Sequence, residues 1–487
     1  MNQTIEFSLA TDFYELTMMQ GYFFKSPEER GIFEMFFRKQ PFNGGYTVFA
    51  GMQPFLDVIE GLSFSDKDIN YLDSLKIFSR EFLDFLAGFK FRGDIYSMKE
   101  GALVFPGEPL VRVHGTMMET QLIESILLNF INFQSLIATK TARIVDKSGR
   151  SPVLEFGLRR AQGIDGSISA TRAAYIGGAS STSNTLAGKL FNIPVSGTMA
   201  HSWVMSFRTE LESFEKYVEL YPDNAVLLVD TFDTLRSGIP NAITVFNKIR
   251  HTKPALMGVR IDSGDLEYLS KKSRQMFDEA GLEEVKIFVS SDIDEWIIKQ
   301  LNDSNAPIDA WGVGTRLVTG GNDPALTGVY KIVAKENGSR LEPCIKISNQ
   351  SEKITNPGSK NVLRFYDKDG QMLADLIYLE SEHDELMARV TGKEPIRFNH
   401  PSTNYAMFTM DQYDSALTLL QPVMKNGKIT CERPGLPEIR QNREREIASI
   451  DETCRRLLNP HIYRISLSDS LKDLKTNLIK DIKGNFL

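Results

Sequence analysis

The stretch ALMGVRIDSGDLEYLSKKSRQMFDEAGLEEVKIFV, residues 255–289, decides the fold. It opens with a short apolar run, continues through a polar junction, and ends with a second apolar run. Between the two runs, Leu266, Leu269, Met276 and Phe277 recur at the spacing of one helix face. An apolar strand, an amphipathic helix and another apolar strand in this order predict a unit of parallel sheet with a helix crossing over it.

The same unit recurs along the chain from residue 151, about every 30 residues. A second crossover helix carries Ala242, Ile243, Phe246 and Ile249 on one face. The predicted strands are VLEF, IPV, AVLLV, ALMGVRI, VKIFV and IDAW, with one more near Ala179. Repetition of this kind predicts an irregular parallel β/α barrel, and a doubly wound open sheet is the alternative.

The regions on either side have a different texture. Residues 1–120 mix phenylalanine-rich runs with turns and predict an N-terminal mixed α+β domain, and residues 121–340 are predicted to form the barrel domain. Residues 341–487 are predicted to rejoin the N-terminal domain through antiparallel strands, including a hairpin at Asp369-Gly370, and to end in a helical region. Apolar residues at helical spacing predict one long helix within residues 119–149: Leu122, Ile126, Leu127, Phe130 and Phe133.

Composition excludes several functional classes. A net charge of -7 without a basic run argues against a nucleic-acid partner. No run of about 18 apolar residues exists and the N-terminus has no signal core, so we predict a cytoplasmic protein without a membrane partner. The cysteines Cys344, Cys431 and Cys454 lie too far apart in sequence to indicate a disulfide framework or a zinc site.

The junctions that follow the predicted strands carry the chemistry. In a parallel barrel these junctions form one rim, where active sites sit. They read EFGLRRAQG, SSTSN, SGTMAHS, DTFDT, RIDSGD, SSDID and GVGTR. Turn propensity explains Gly, Ser and Asp, but it does not call for Arg159, Arg160, His201 and Arg260 at corresponding positions. Arginines suit phosphate or carboxylate, and aspartates beside serines suit Mg²⁺ or ribose, so the rim predicts a phosphorylated sugar as ligand.

Several of these residues also have an ordinary structural explanation. Gly312, Gly314 and Thr315 either cradle a phosphate through backbone N–H groups or form only a turn. In RIDSGD, Asp265 is well placed to cap a helix, which leaves Asp262 as the functional candidate. Asp292 and Asp294 are equally open to a cap or a ligand role. The stretch VDTFDT looks superficially like a phosphoribosyl loop of another enzyme class but lacks its two adjacent acids.

Six ordered motifs resemble the nicotinate phosphoribosyltransferase family across residues 10 to 335: DFYELTMMQGYF, LEFGLRRAQG, SGTMAHSWVMSF, GVRIDSGDL, SSDIDE and WGVGTRLVT. The resemblance implies an irregular α/β barrel beside a mixed N-terminal domain. It also implies that the enzyme joins nicotinate to phosphoribosyl pyrophosphate, giving nicotinate mononucleotide and pyrophosphate with coupled ATP hydrolysis.

The resemblance also assigns roles to residues. His201 is implied to accept phosphate from ATP. Tyr14 is implied to stack on the pyridine ring, supplied by the neighbouring subunit of a homodimer. Arg260 and Thr198 are implied to line the nicotinate site. Arg159 and the loop Gly312, Gly314 and Thr315 are implied to bind phosphate. Asp262, as a catalytic residue, and Asp292 are our predicted Mg²⁺ ligands.

Three alternatives remain at this point. A nicotinamide-specific enzyme needs an acceptor for the carboxamide NH₂, and SSTSNT, residues 180–185, offers no carboxylate. A Schiff-base lyase on a phosphate-binding barrel needs a lysine at a strand end, and none of the predicted strands ends in one. A catalytically silent sensor would not need the full set of rim residues.

Overall fold

The computed structural model describes residues 7–338, 340–350, 353–403 and 405–484. The chain divides into two compact units. The first unit combines the chain up to Leu136 with the chain from Ala325 onward, and the second unit spans Ile137–Pro324. The domain boundaries expected at residues 120 and 340 stay a prediction.

Strands and helices are numbered in chain order through both units. The strands are β1 (Arg30–Phe37), β2 (Thr47–Val48), β3 (Asp94–Ser97), β4 (Leu103–Val104), β5 (Val111–Thr116), β6 (Val153–Glu155), β7 (Ser181–Thr182), β8 (Asn224–Leu228), β9 (Leu256–Ile261), β10 (Lys286–Ser291), β11 (Ala310–Val313), β12 (Gly328–Asn337), β13 (Arg340–Pro343), β14 (Lys360–Tyr366), β15 (Met372–Leu379), β16 (Ile396–Asn399), β17 (Met407–Met410), β18 (Ser415–Thr418), β19 (Gln421–Lys425), β20 (Lys428–Ile429) and β21 (Ile465–Leu467). The helices are α1 (Phe13–Lys25), α2 (Met52–Glu60), α3 (Asp66–Ser74), α4 (Arg80–Ala87), α5 (Met117–Leu122), α6 (Glu124–Ser148), α7 (Ile164–Gly177), α8 (Thr185–Phe191), α9 (His201–Met205), α10 (Glu210–Leu220), α11 (Ile239–Ile249), α12 (Leu266–Glu279), α13 (Glu295–Asp303), α14 (Thr315–Val318), α15 (His383–Thr391), α16 (Leu436–Ser449) and α17 (Asp469–Gly484).

The second unit is built around a parallel sheet of order β7-β6-β11-β10-β9-β8. Its strands are those expected from the apolar runs, and neighbouring strands pair in parallel. The register places Arg260 beside Phe288 and beside Leu228, and Ser290 beside Gly312. Because the strands run in the same direction, the junctions that follow them lie at one edge of the sheet.

The sheet is curled into a half-barrel, which confirms a mixed α/β protein with a curled parallel sheet, and the irregular barrel itself stays a prediction. Strands β7 and β8 are its edges, and within Ile137–Pro324, all of which is described, no pairing joins them. The predicted strand IPV forms only a single parallel bridge between Val195 and Thr182.

Both crossover helices form, but the buried face of α12 differs from its predicted pattern, since Leu266, Leu269 and Met276 are only half-buried. In α11, Ala242 and Phe246 are fully buried, and in α12 Phe277 is fully buried. The rest of the buried face of α12 is formed by two serines, Ser270 and Ser273.

The first unit contains antiparallel sheets and one mixed sheet, in which β15 and β21 pair in parallel. One antiparallel sheet has the order β13-β12-β1-β5-β3-β19-β20, so strands from the last third of the chain pair with strands of the N-terminal region. A second sheet contains the expected hairpin, in which β14 pairs antiparallel with β15 around Asp369-Gly370. The predicted long helix appears as α5 and α6, and it ends at Ser148 just before Gly149, as expected. The stretch LEPCIKIS forms only the short strand β13.

The three cysteines, all within the described ranges, are unpaired thiols, as their spacing indicates. Among the described helices, none combines the length and the apolar character that crossing a membrane requires.

Candidate active site

A cavity of about 620 Å³ opens at the carboxyl edge of the parallel sheet. Its lining comes from the junctions after β6, β7, β9, β10 and β11 and from the chain before α9, as expected for the rim of a parallel sheet. The lining residues are Phe156, Leu158, Arg159, Arg160, Ser183, Gly197, Thr198, Arg260, Asp262, Ser290, Ser291, Asp292, Gly312, Gly314 and Thr315. Junctions that are more than 150 residues apart in sequence therefore meet around one space.

Arg260 is held on three sides at the end of β9. Its Nε donates to Ser290 Oγ at 2.8 Å, its Nη1 to Thr198 Oγ1 at 3.0 Å, and its Nη2 to Asp262 Oδ1 at 2.6 Å. The guanidinium also lies 5.6 Å from the ring centre of Phe156. Because a guanidinium has five N–H donors, these bonds orient the group and still leave donors for a bound anion.

Asp262 is the centre of the polar network. Burial opposes its charge, but a hydrogen bond from Ser290 and the neighbouring charge of Arg260 outweigh burial and lower its pKa below the ordinary value. Its backbone N–H donates to Asp230 Oδ2 at 3.0 Å. Asp262 is therefore an anchored carboxylate that faces the cavity.

His201 is the first residue of the short helix α9 and is half-exposed. Its Nδ1 lies 3.2 Å from Thr231 Oγ1. Its Nε2 faces two carboxylates, Asp262 Oδ2 at 3.7 Å and Asp230 Oδ1 at 4.0 Å. Asp262 contacts both His201 and Arg260, so the imidazole and the guanidinium belong to one site.

Asp230 is almost fully buried, with 3% of its side chain exposed. Its Oδ2 accepts hydrogen bonds from the Asp262 backbone and from Ser263 Oγ at 2.5 Å. Its Oδ1, the oxygen that faces His201, has no hydrogen-bond donor within the described chain. A buried carboxylate oxygen with no donor is costly unless it serves a charged or polar group nearby, which here is the imidazole.

The loop that carries Arg159 is anchored by a buried acid, Glu155. Glu155 accepts hydrogen bonds from the backbone N–H of Gly157, from Thr171 Oγ1 at 2.9 Å and from Thr182 Oγ1 at 2.5 Å. The anchored loop continues into a single 3-10 turn, Leu158–Arg160, which places Arg159 and Arg160 on the cavity. Geometry does not distinguish the two arginines.

The glycine loop after β11 also lines the cavity. A Cβ at Gly312 would lie 2.8 Å from the ring of Phe156, and a Cβ at Gly314 would lie 2.9 Å from the Phe156 carbonyl oxygen. Packing alone therefore requires glycine at both positions. Gly312, Gly314 and Thr315 all line the cavity, which is where a phosphate loop would lie.

The remaining aspartates divide as the sequence suggested. Asp265 caps α12 by accepting from Tyr268 N at 3.0 Å, and Asp294 caps α13 by accepting from Trp296 N at 3.0 Å. Asp292 lines the cavity and pairs with Arg316 at 3.1 Å. Among the described residues, no group of three or more His, Cys, Asp or Glu side chains is arranged to hold a metal ion.

Tyr14 belongs to the first unit, where it lies on α1 with 47% of its side chain exposed. Burial of its hydroxyl and the nearby carboxylates of Glu124, Glu15 and Asp12 raise the pKa of Tyr14 to about 12. The phenol is therefore neutral at physiological pH. An exposed aromatic ring on a helix is available to a ligand or to another chain.

Sequence reasoning missed two contributors. Local pattern predicts Ser290 only as part of a strand, although it bonds both Arg260 and Asp262. The same pattern places Asp230 on the rim without a role. Their positions could have identified both residues as candidates, because each lies at the carboxyl end of a predicted parallel strand.

Family models cover most of the chain. A model described as the nicotinate phosphoribosyltransferase N-terminal domain matches residues 9–132. The model of the nicotinate phosphoribosyltransferase family matches residues 152–374, and that of the C-terminal domain matches residues 359–475. The N-terminal, family and C-terminal matches follow one another along the chain.

Individual relatives agree with the family models. The chain is 42% identical over 480 residues to the nicotinate phosphoribosyltransferase of Bacillus subtilis, covering 98% of this chain and 96% of the relative. It is 36% identical to the one from Caenorhabditis elegans, covering 95% and 92%. The crystal structure of human nicotinic acid phosphoribosyltransferase superimposes with a TM-score of 0.82 at 29% identity, covering 96% of this chain and 99% of that structure.

Proposed function

The chain belongs to the nicotinate phosphoribosyltransferase family, and from that premise we propose how its residues carry out the reaction. The enzyme joins nicotinate to phosphoribosyl pyrophosphate and releases nicotinate mononucleotide and pyrophosphate. The observation that carries the mechanism is the three-sided anchoring of Arg260 in the same cavity as the arginine and glycine loops.

Arg260 and Thr198 form the nicotinate subsite. The Arg260 guanidinium donates to the nicotinate carboxylate through the N–H groups that make no hydrogen bond within the protein. The Thr198 hydroxyl lies 3.0 Å from Arg260 Nη1. Tyr14, supplied by the neighbouring subunit of a homodimer, stacks on the pyridine ring and sets its plane. A homodimer and a cytoplasmic location both stay predictions.

Glycosidic bond formation needs little acid-base chemistry. The ribose C1–O bond to pyrophosphate breaks through an oxocarbenium-like state, and the lone pair of the pyridine nitrogen forms the new C1–N bond from the opposite face. Arg159, or Arg160 beside it, neutralises phosphate oxygens, and the backbone N–H groups of Gly314 and Thr315 hold the ribose phosphate. Rate enhancement then comes from positioning and charge stabilisation.

His201 accepts a phosphoryl group from ATP. The carboxylates of Asp230 and Asp262 face Nε2, and their negative charge favours the tautomer that carries its proton there. The Nδ1 lone pair, beside the Thr231 hydroxyl, then attacks the γ-phosphorus as the bond to ADP breaks. Hydrolysis of the phosphohistidine after turnover drives product release.

Mg²⁺ fits this site as an ion that arrives with the phosphate substrates. Mg²⁺ is commonly held by one or two protein carboxylates together with substrate phosphates and water. Asp262 and Asp292 both line the cavity and suit that role, although each is also paired with an arginine. When bound, the ion neutralises charge on the departing pyrophosphate.

The alternatives lack support from the site. No lysine is among the described residues that line the cavity, so a Schiff base has no amine to form on. Within the same described lining, the carboxylates are Asp262 and Asp292, and each is paired with an arginine, so the charge of these arginines favours a nicotinate carboxylate over a neutral carboxamide. A silent sensor does not need a histidine held between two acids.

Steady-state kinetics with nicotinate and with nicotinamide test the proposal. We expect kcat/KM for nicotinate to exceed that for nicotinamide by at least about 100-fold, since a carboxamide loses a charge-assisted pair with Arg260. Arg260→Lys should narrow that ratio, while Arg250→Lys, an exposed arginine of the same unit, should leave it unchanged. Preference for nicotinamide would overturn the proposed subsite.

A further inference from the structure

The first turn of helix α1 is tied to the start of α6 by a buried acid. Glu15 is fully buried. One of its oxygens accepts from Ser125 Oγ at 2.8 Å, and the other accepts from Thr11 Oγ1. Ser125 Oγ also contacts Asp12, as donor to Oδ2 at 3.0 Å and as acceptor from the backbone N–H at 3.2 Å.

Tyr14 is carried by this anchored turn. Asp12, two residues before Tyr14, and Glu15, directly after it, are both hydrogen-bonded to α6. The Tyr14 carbonyl accepts a hydrogen bond from Thr17 Oγ1 at 2.9 Å. The Tyr14 ring is nevertheless about half exposed. An exposed ring on a pinned backbone is pre-oriented, which lowers the entropy lost when a partner or ligand binds it.

The hydrogen bonds of this cluster are two protons short when both acids are charged. The hydroxyls of Thr11 and Ser125 supply one proton each, but the facing acceptors are both oxygens of Glu15, Oδ2 of Asp12 and the carbonyl of Leu122. A proton on Glu15 halves the shortage. It lets Glu15 donate to Ser125, while Ser125 donates to Asp12.

The charges around Glu15 act in the same direction. Burial raises the pKa of Glu15 to about 7, the hydroxyls of Thr11 and Ser125 oppose that rise, and the charges of Glu124 and Asp12 reinforce it. The other titratable groups nearby are two neutral phenols, Tyr14 and Tyr330, and Lys331, whose ammonium pairs with Glu124 at 3.4 Å. No cation in the described cluster contacts Glu15 directly.

We propose that Glu15 is a positioning residue for Tyr14, and that a proton on Glu15 keeps the first turn of α1 in the orientation that delivers the tyrosine ring to the nicotinate subsite. This inference rests on the proposed function, in which Tyr14 stacks on the pyridine ring. When Glu15 ionises, the carboxylates of Glu15 and Asp12 compete for two hydroxyl donors beside the charge of Glu124, and the turn loosens. Nicotinate binding therefore weakens as pH rises through neutrality, while the chemical step is unaffected.

The test compares wild type with Glu15→Gln, which keeps the shape of a protonated acid and cannot ionise. KM for nicotinate and kcat are measured on the intact enzyme at saturating phosphoribosyl pyrophosphate, at about pH 6 and about pH 8. We expect the wild type and Glu15→Gln to have equal KM values at the lower pH. At the upper pH we expect the wild-type KM to be about threefold to tenfold higher than that of Glu15→Gln, while the ratio of their kcat values is the same at both pH values. Glu81→Gln, an exposed acid at the start of α4, serves as the control.

Equal KM values for wild type and Glu15→Gln at both pH values would overturn the proposal. If Glu15→Gln does not fold, the infrared C=O stretch of a protonated carboxylic acid decides instead. A band that titrates near neutrality in wild type and changes frequency in Ser125→Ala, which removes a hydrogen-bond partner of Glu15, supports the proposal, and an ionised Glu15 at pH 6 contradicts it.

Tyr14→Ala separates this inference from the proposed function. A large rise in the nicotinate KM of Tyr14→Ala, with no pH-dependent difference between wild type and Glu15→Gln, removes the inference and leaves the function. An unchanged KM in Tyr14→Ala would remove the role of Tyr14 itself.

Discussion

Oδ2 of Asp262 lies 3.7 Å from Nε2 of His201, while the other oxygen of the same carboxylate accepts a hydrogen bond from Arg260 at 2.6 Å. One acid therefore connects the residue proposed to carry phosphate with the residue proposed to bind nicotinate. The connection gives a physical route by which phosphorylation of His201 changes the substrate site. A phosphoryl group on the imidazole adds negative charge next to Asp262 and so alters its pull on Arg260.

Ser290→Ala should change the pH dependence of the reaction. Ser290 donates to Asp262 and accepts from Arg260, and its bond helps to lower the pKa of Asp262. Without that bond the pKa of Asp262 rises, so the carboxylate is lost at a higher pH as the solution is acidified. We expect the acid limb of the kcat/KM profile to move to higher pH, with kcat/KM at neutral pH lowered about tenfold.

Ser273→Ala is the matched control, since Ser273 is buried in the same unit and its hydroxyl has no hydrogen-bond partner among the described residues. An acid limb in Ser290→Ala that coincides with the wild type would show that the serine does not tune Asp262.

Gly157→Ala should damage the Arg159 loop. A Cβ at position 157 would lie 2.1 Å from Val318 Cγ1 and 2.9 Å from Glu155 Oε1, so the loop must move. We expect the free energy of unfolding to fall by about 1–3 kcal/mol and KM for phosphoribosyl pyrophosphate to rise. Chemical denaturation and steady-state kinetics measure the two effects.

Gly166→Ala provides the contrast within the same unit. Gly166 is inside α7, and a Cβ added to it would have none of the described neighbouring atoms within 4 Å. Alanine there should stabilise the protein by about 0.5–1 kcal/mol and leave KM unchanged. A Gly157→Ala enzyme as stable as Gly166→Ala would contradict the packing described for the loop.

Glu108→Gln should make the first unit less sensitive to alkaline pH. Glu108 is fully buried, and burial together with Asp375 raises its pKa well above 4.5. Folding therefore takes up a proton. The stability that this proton gives is complete at low pH and is lost as pH rises from the ordinary carboxyl pKa toward the raised folded value.

A neutral glutamine avoids that loss. We expect Glu108→Gln to match the wild type in acid and to be more stable at alkaline pH, measured as unfolding free energy against pH. Glu432→Gln, an exposed acid of the same unit, should follow the wild-type curve. A wild-type stability that does not fall relative to Glu108→Gln above neutrality would mean that Glu108 is ionised in the fold.

Local patterns predicted much of the fold. Apolar runs and helical spacing depend on neighbouring residues, so β8, β9, β10 and the crossover helices α11 and α12 were found near their true bounds. Asp265 was correctly assigned as a cap because its signal is also local. Local pattern does not decide how far the sheet closes, since closure depends on whether two distant edge strands meet, and the two-residue strand β7 gave no local sign of an edge.

The site was predicted as a set of residues but not as a network. The places of Arg260, Asp262 and Thr198 at the junctions after predicted strands correctly predicted that they line one cavity. The bonds among them depend on register, which sets Arg260 beside Phe288 and so brings Ser290 within reach. Register between strands about 30 residues apart follows from packing of the whole sheet, so the bonds of Ser290 and the burial of Asp230 could not be read from local pattern.

The central claim is that His201 couples ATP hydrolysis to transfer of the phosphoribosyl group. The most direct measurement is the rate of nicotinate mononucleotide formation from nicotinate, phosphoribosyl pyrophosphate and Mg²⁺, with and without ATP, for the wild type and for His201→Ala. We predict that ATP raises the wild-type rate and leaves the His201→Ala rate unchanged. Equal stimulation of both enzymes by ATP would contradict the claim.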